Sequence, residues 1–267
     1  MTLPIITLLS DFGLKDPYVA EMKAVILEIS PKVQVVDISH LVPKFDVRMG
    51  ALTLASAAPY FPDGTIHVAI VDPSVGTRRR ALIVKTKRHF YVGPDNGLLV
   101  LAAEKDGISK VYEIVNPEFT LHKVSSTFHG RDVFAPAAAY LASGVPLRRF
   151  GSEVKDYKRW LFSKPALRLD KGLEGEVLRI DDFGNLITNV ASSDLAEAGI
   201  EPTKLLCIRL KGTLLRLRLC KTYGEAPLRS TLALIGSHDY LEIAVNQGSA
   251  SRRLRAKVGD ALVVSQV

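Results

Sequence analysis

The segment IITLLSDFGLKDPYVAEMKAVILEI, residues 5–29, reads as strand, turn and helix in direct succession. Ile5–Leu9 is a short aliphatic run that ends in Ser10-Asp11-Phe12-Gly13, a cluster of turn formers. Asp16-Pro17 then reads as a helix cap followed by a first-turn proline. Behind it, Val19, Met22, Val25, Ile26 and Ile29 recur at helical spacing and give one apolar face for a sheet. Val33–Ile38 is the next strand. A strand, a helix and a second strand form the unit from which parallel sheets are built, so the N-terminal half is predicted to be α/β.

Outward from this segment, strands are expected at Thr65–Val71, Ala81–Thr86 and His89–Val92. Helices are expected at Val47–Ala57 and at Asp132–Ser143, the latter stopped by Gly144 and Pro146. The character changes after about residue 165, where the mixed stretch Lys164–Lys171 reads as a linker and strands then dominate. Leu215, Leu217 and Leu219 alternate with Arg216 and Arg218, the period of a strand buried on one face. Glu242–Val245 and Ala261–Val264 are further strands, and Asp194–Glu197 is a short helix with an acidic cap. The expected domains are residues 1–165, α/β around a central mostly parallel sheet, and 171–267, smaller and mostly β.

A chain of 267 residues with 47% hydrophobic content is long and apolar enough to bury a sizeable core. Its longest apolar runs fall far short of the roughly 20 residues that span a bilayer. Met1–Leu9 carries neither a basic flank nor a cleavage site, so a cytoplasmic protein without membrane contact is expected. Cys207 and Cys220 lie in strand-like sequence and read as reduced core thiols. The net charge of +7 comes from scattered basic residues with no aromatic platform, so no nucleic-acid partner is expected.

Three loops gather residues with chemistry. Asp11 follows the first strand at the carboxyl edge where open α/β sheets place ligands, and its carboxylate suits a ribose diol, although such an Asp also caps turns. Asp72-Pro73-Ser74-Val75-Gly76 ends another strand with Arg79 seven residues after Asp72; a silent surface ion pair is the rival reading. His129, between Phe128 and Gly130, holds an imidazole on a turn before a helix, a position that plain caps also occupy. Pro94-Asp95-Asn96-Gly97 reads as a tight reversal with positive φ at Asn96 or Gly97. Asp181-Asp182-Phe183-Gly184-Asn185 reads equally as a hairpin turn and as a carboxylate and a carboxamide presented together.

Taken in order, Ser10-Asp11-Phe12-Gly13, Val71-Asp72-Pro73 with Gly76 and Arg79, Pro94–Gly97, Phe128–Arg131, Phe183-Gly184-Asn185 and Tyr240–Asn246 resemble the S-adenosyl-L-methionine hydroxide adenosyltransferase family, relatives of fluorinases and chlorinases. The likeness spans nearly the whole chain. It implies an α/β N-terminal domain, a β-barrel-like C-terminal domain and a homotrimer whose pockets lie between subunits. It also implies hydrolysis of S-adenosyl-L-methionine to adenosine and methionine, with no cofactor and no metal.

The resemblance places Asp72, Arg79 and His129 at the attacking water; on chemical grounds His129 is then expected to accept its proton, Asp72 to orient and support His129 or the water, and Arg79 to hold the developing charge. It places Asp11 on the ribose, Asp181 and Ser237 on the methionine head group, and Asn185 on adenine. Tyr223 falls where an aromatic stacks on adenine, Phe45 and Phe128 where the walls are apolar, and Gln247 where a backbone group meets the adenine edge. His238 stands where the halogenases carry an arginine. Asp72 and His129 stand where they carry tyrosines, which favours water over halide, although the small Gly130 leaves room for chloride. The alternatives are a chlorinase-like halogenase, a metal-dependent hydrolase using Asp11, Asp72 and His129, and a nucleoside-binding protein without turnover.

Overall fold

Which strand ends lie side by side decides where the loops meet. In the computed structural model, which describes residues 3–159, 165–167, 172–201 and 205–266, the chain divides into two compact units, Met1–Trp160 and Leu161–Val267. The first contains β1 (Ile5–Ser10), α1 (Tyr18–Ile29), β2 (Gln34–Ser39), α2 (Val47–Ala57), β3 (Ile66–Ile70), β4 (Ala81–Thr86), β5 (Phe90–Pro94), α3 (Val100–Asp106), β6 (Ile108–Glu113) and α4 (Ala135–Ala142). Its six strands run in the order β2-β1-β3-β5-β4-β6. β2, β1, β3 and β5 are mutually parallel, and β4 is antiparallel to both of its neighbours.

The order reverses between β1 and β3: β2 lies on one side of β1 and the chain returns on the other. Crevices of open α/β sheets form at such points, outside the carboxyl ends of the strands. Ser10 pairs with Ile70 across the two strands, so the loops that begin at Asp11 and at Val71-Asp72 emerge next to each other. Ile6, Leu8, Val68 and Ile70 share one core with Met22 and Ile26 of α1 and the alanines of α4. Full burial of each large apolar side chain there contributes roughly 1.5–3 kcal/mol.

The helix ends differ in detail from the sequence pattern. Pro17 itself caps α1, and its carbonyl accepts the first helical bond from Glu21 at 2.9 Å; Asp16 makes no capping bond. The helix expected from Asp132 becomes a π-helical turn, Gly130–Phe134, running into α4. Pro136 has no N–H to give to the Asp132 carbonyl four residues back, and Leu121 N–H bonds that carbonyl instead, at 2.8 Å. Such wide turns recur at functional sites.

The second unit contains β7 (Ala166–Leu167), β8 (Leu173–Ile180), β9 (Leu186–Ala191), α5 (Ser192–Glu197), β10 (Leu205–Leu210), β11 (Thr213–Cys220), β12 (Thr231–Ile235), β13 (Tyr240–Val245), α6 (Ala250–Leu254) and β14 (Ala261–Gln266). Of the expected linker, Lys164–Lys171, only residues 165–167 are described, and β7 extends the edge at β8. The order β14-β10-β11-β12-β13-β9-β8 closes on itself through a β14–β8 pairing, making a barrel. Asp194 lies inside α5 rather than at its cap; its carboxylate accepts from Ala191 N–H at 2.7 Å. Cys207 and Cys220 are both free thiols, the first half-buried and the second buried. No helix among the described residues is long and apolar enough to cross a membrane.

Candidate active site

Asp72, Arg79 and His129 meet although they stem from two separate loops. Gly76 makes this possible: its φ is +76°, and a Cβ there would fall 2.1 Å from the Ser126 carbonyl oxygen, so only glycine lets the Asp72–Arg79 loop lie against the loop carrying His129. Asn96 braces the start of the first loop by donating to the Val71 carbonyl at 2.8 Å, and the positive φ expected nearby falls on Gly97. Asp132, fully buried, ties the second loop by accepting from Ser125 N–H at 2.7 Å and from the Arg131 guanidinium at 2.6 Å.

Arg79 Nε donates to Asp72 Oδ2 at 2.8 Å, and its Nη2 lies 2.6 Å from the same oxygen. Nη2 also reaches His129 Nδ1 at 2.7 Å. The Arg79 and Asp72 side chains are only 4% and 5% exposed, and the guanidinium stands over the Phe134 ring at 5.2 Å. Two buried charges therefore neutralise each other, and the guanidinium bridges carboxylate to imidazole.

A guanidinium stays protonated, so it donates to Nδ1 and the neutral imidazole carries its proton on Nε2. Burial, reinforced by the Arg79 charge, holds His129 below the ordinary imidazole range and keeps it in that neutral form. In this arrangement His129 offers a hydrogen-bond donor at Nε2, where the sequence leads one to expect a proton acceptor. Asp72 bonds Arg79, and no direct hydrogen bond joins it to His129 among the described residues.

Asp11, Phe45, Asp72, Phe128 and His129 line one cavity of about 460 Å³ in the N-terminal unit, and Arg79 sits behind its wall. Asp11 Oδ2 accepts from Phe45 N–H at 2.9 Å, and Lys44 Nζ holds the Asp11 carbonyl. Among the described residues no donor is found at Asp11 Oδ1. Phe45 adopts a φ of +65° and the residue is 70% exposed, a strained and costly placement for an aromatic. Phe12 and Tyr18, not expected at the site from the sequence, complete an aromatic cluster with Phe128, with ring centroids 5.0–5.8 Å apart. Phe12 beside Asp11 was the available signal; Tyr18 carried none, since it opens a helix like any core aromatic.

Asp181, Asn185, Tyr223, Ser237 and Gln247 line a second, wider cavity of about 1390 Å³ within the C-terminal unit. Both readings of the Asp181–Asn185 segment hold there. It closes the β8–β9 hairpin, with Asp181 Oδ1 accepting from Asn185 N–H at 2.8 Å and Oδ2 from Asn185 Nδ2 at 2.9 Å, and it faces the cavity. Gly184, with φ +83°, lets this turn pack against Ser249, whose Oγ would be 2.1 Å from an added Cβ. Ser237 and Gln247 sit on the turns flanking β13, and Gln247 takes a φ of +50°. Glu242, which nothing in its local sequence marks as a site residue, also lines this cavity. It accepts from the Tyr223 hydroxyl at 3.2 Å, and burial, with Asp181 nearby, raises its carboxyl above the usual range. Burial and the same carboxylate push Tyr223 up to about 12.

Residues 6–151 match the SAM hydroxide adenosyltransferase N-terminal domain and residues 175–263 the corresponding C-terminal domain. An (R)-S-adenosyl-L-methionine hydrolase of Thermus thermophilus is 42% identical over 94% of this chain and 95% of its own. One from Methanocaldococcus jannaschii is 35% identical over 98% and 96%. A fluorinase of Nocardia brasiliensis is 31% identical over 96% and 95%. The crystal structure of an uncharacterized conserved protein from Thermotoga maritima superposes with a TM-score of 0.93 at 37% identity, covering 98% of this chain and 100% of that one. With both domains matched in order along the chain, this protein belongs to the SAM hydroxide adenosyltransferase family.

Proposed function

We propose that the protein hydrolyses S-adenosyl-L-methionine to adenosine and L-methionine. The observation that carries this reading is the Asp72–Arg79–His129 chain opening on the same cavity as Asp11. Relatives named as hydrolases, at 35–42% identity over nearly the full length, support it.

In the reaction, a water oxygen forms a bond to ribose C5′ while the C5′–S bond breaks, its electron pair returning to sulfur to give a neutral thioether. The leaving group needs no proton. The water gives up one proton to solvent, and the hydroxide character of the attacking oxygen is what the site stabilises. His129 Nε2–H holds that oxygen, Arg79 supplies positive charge behind the imidazole, and Asp72 fixes Arg79. Asp11 takes the ribose diol; Phe45 and Phe128 wall the cavity. Asp181 and Ser237 take the methionine head group, while Asn185, Tyr223 and Gln247 take adenine.

No cofactor or metal is proposed for this scheme, in which the Asp72 carboxylate is committed to Arg79. Activity is expected to survive a chelator. The protein is further proposed to be cytoplasmic and, from its family resemblance, to act as a homotrimer whose sites draw on two subunits. Light scattering tests the assembly. So does mixing a His129 variant that lacks turnover with an Asn185 variant of raised KM, since a wild-type KM reappears only if subunits share sites.

The decisive experiment is incubation with S-adenosyl-L-methionine, with and without chloride, followed by identification of the nucleoside. Adenosine in both is expected. A 5′-chloro nucleoside makes the protein a halogenase, and binding without turnover makes it a sensor.

A further inference from the structure

Behind Asp11, buried polar side chains link the ends of β1 and β2. Ser10 closes β1 and is fully buried; His40 lies just past β2 with its side chain 1% exposed. Ser10 Oγ and His40 Nδ1 are 2.7 Å apart. His40 Nε2 stands 3.1 Å from Asp37 Oδ1 in an ion-pair contact without a formed hydrogen bond, and the other Asp37 oxygen is held by Lys23 Nζ at 2.6 Å. A carboxylate beside Nε2 places the imidazole proton there, so Nδ1 accepts from the Ser10 hydroxyl. The Ser10 oxygen in turn accepts from Phe12 N–H at 3.2 Å, and the His40 carbonyl accepts from Gly13 N–H at 2.7 Å. The two backbone N–H groups that follow Asp11 are thus tied to one serine–histidine pair.

The order Asp37, His40, Ser10 imitates a hydrolytic triad, but the burial of Ser10 and the engagement of its oxygen by both Nδ1 and Phe12 N–H keep any substrate away. A nucleophile is excluded. We infer that Ser10, His40 and Asp37 form a positioning relay for Asp11: they fix the Asp11–Gly13 turn so that Oδ1 faces the cavity while Phe45 N–H holds Oδ2. This rests on the reading of Asp11 as the ribose contact. A carboxylate on a mobile turn would have to be ordered at each binding event, and the relay removes that cost beforehand.

The test is calorimetry with adenosine and steady-state kinetics with S-adenosyl-L-methionine on His40→Ala, Ser10→Ala and His40→Asn, with thermal unfolding to confirm folded protein. His40→Ala and Ser10→Ala are expected to raise the adenosine Kd and the KM together by about 10-fold, with kcat within about 3-fold. His40→Asn, whose amide oxygen replaces Nδ1 as acceptor for Ser10, is expected to recover most of the affinity. In an Asp11→Ala background, His40→Ala should add less than about 2-fold, because a residue acting through Asp11 has nothing left to position. A folded Ser10→Ala or His40→Ala protein with Kd and KM unchanged overturns the relay, as does a full further loss in the Asp11→Ala background. If the wild type itself binds no adenosine, the ribose reading of Asp11 has failed and the relay with it.

Discussion

The two cavities differ in how their polar groups are held. In the N-terminal unit the cavity is about 460 Å³, and its reactive side chains are fixed by other buried side chains: Arg79 locks Asp72 and His129, and Phe45 N–H holds Asp11. In the C-terminal unit the cavity is about 1390 Å³, and its polar groups sit on the turns between barrel strands, as Asp181 and Asn185 do. Chemistry that stabilises developing charge needs preorganised dipoles, whereas recognition of a nucleoside and an amino acid head group tolerates turns that adjust. On this contrast, damage to the Asp72–Arg79–His129 bridge should lower kcat, whereas damage to the second cavity, like loss of the Asp11 contact, should raise KM.

The largest effect is expected at the bridge. His129→Ala and Arg79→Lys should each lower kcat by about 10²-fold or more while the adenosine Kd stays within about 2-fold. The lysine keeps the charge but cannot serve Asp72 and His129 at once. Retained turnover in both would break the contrast. Arg79→Met is a poorer probe, since it strands a buried carboxylate at a cost of about 3–5 kcal/mol in stability.

Next comes Asp11→Ala, expected to weaken adenosine binding by about 10- to 100-fold through loss of a charged acceptor, as calorimetry would record. Undiminished affinity would remove Asp11 from the site. Asn185→Ala in the barrel should raise the KM by about 10-fold with kcat nearly unchanged. A fall in kcat instead would place chemistry in the second cavity.

The smallest effects concern pH. Because His129 is held below its ordinary value of 6.5, kcat should persist through pH 6.5 and fall only at lower pH, where the imidazole gains a proton and loses the Arg79 contact. A profile breaking at or above pH 6.5 would contradict the bridge. At the start of the interior strand β3, His67 is fully buried beside His89 and Tyr91, and burial lowers its pKa from 6.5 to about 3. Its folded value lies below its unfolded one, so the stability held by the neutral ring is complete above pH 6.5. It is lost as pH falls towards 3, by at most about 1.4 kcal/mol per pH unit. Denaturant titrations at pH 7 and pH 5 should show that loss, and His67→Phe should reduce it.

Much of this was legible in the chain because local chemistry fixes it. The alternation of Leu215, Leu217 and Leu219 with arginines marks β11, and the spacing from Val19 to Ile29 marks α1, since burial of one face demands those periods. Less legible were β6 and α3, whose apolar runs are too short to declare a type, and the π-helical turn before α4, which depends on a bond from the distant Leu121. The loop residues Asp11, Asp72, Arg79 and His129 stood out by their positions after strands and before a helix.

Their partners did not, because a hydrogen bond between residues 50 positions apart leaves no trace in either neighbourhood. The sequence by itself determined the strand and helix periods, the turn glycines and the set of reactive side chains. Only the tertiary structure decided that Arg79 stands between Asp72 and His129, which puts the imidazole proton on Nε2. It also decided that His40 reaches back to Ser10. Proton location follows from which donor meets which lone pair, and that is set by strand order and loop contact, not by spacing along the chain.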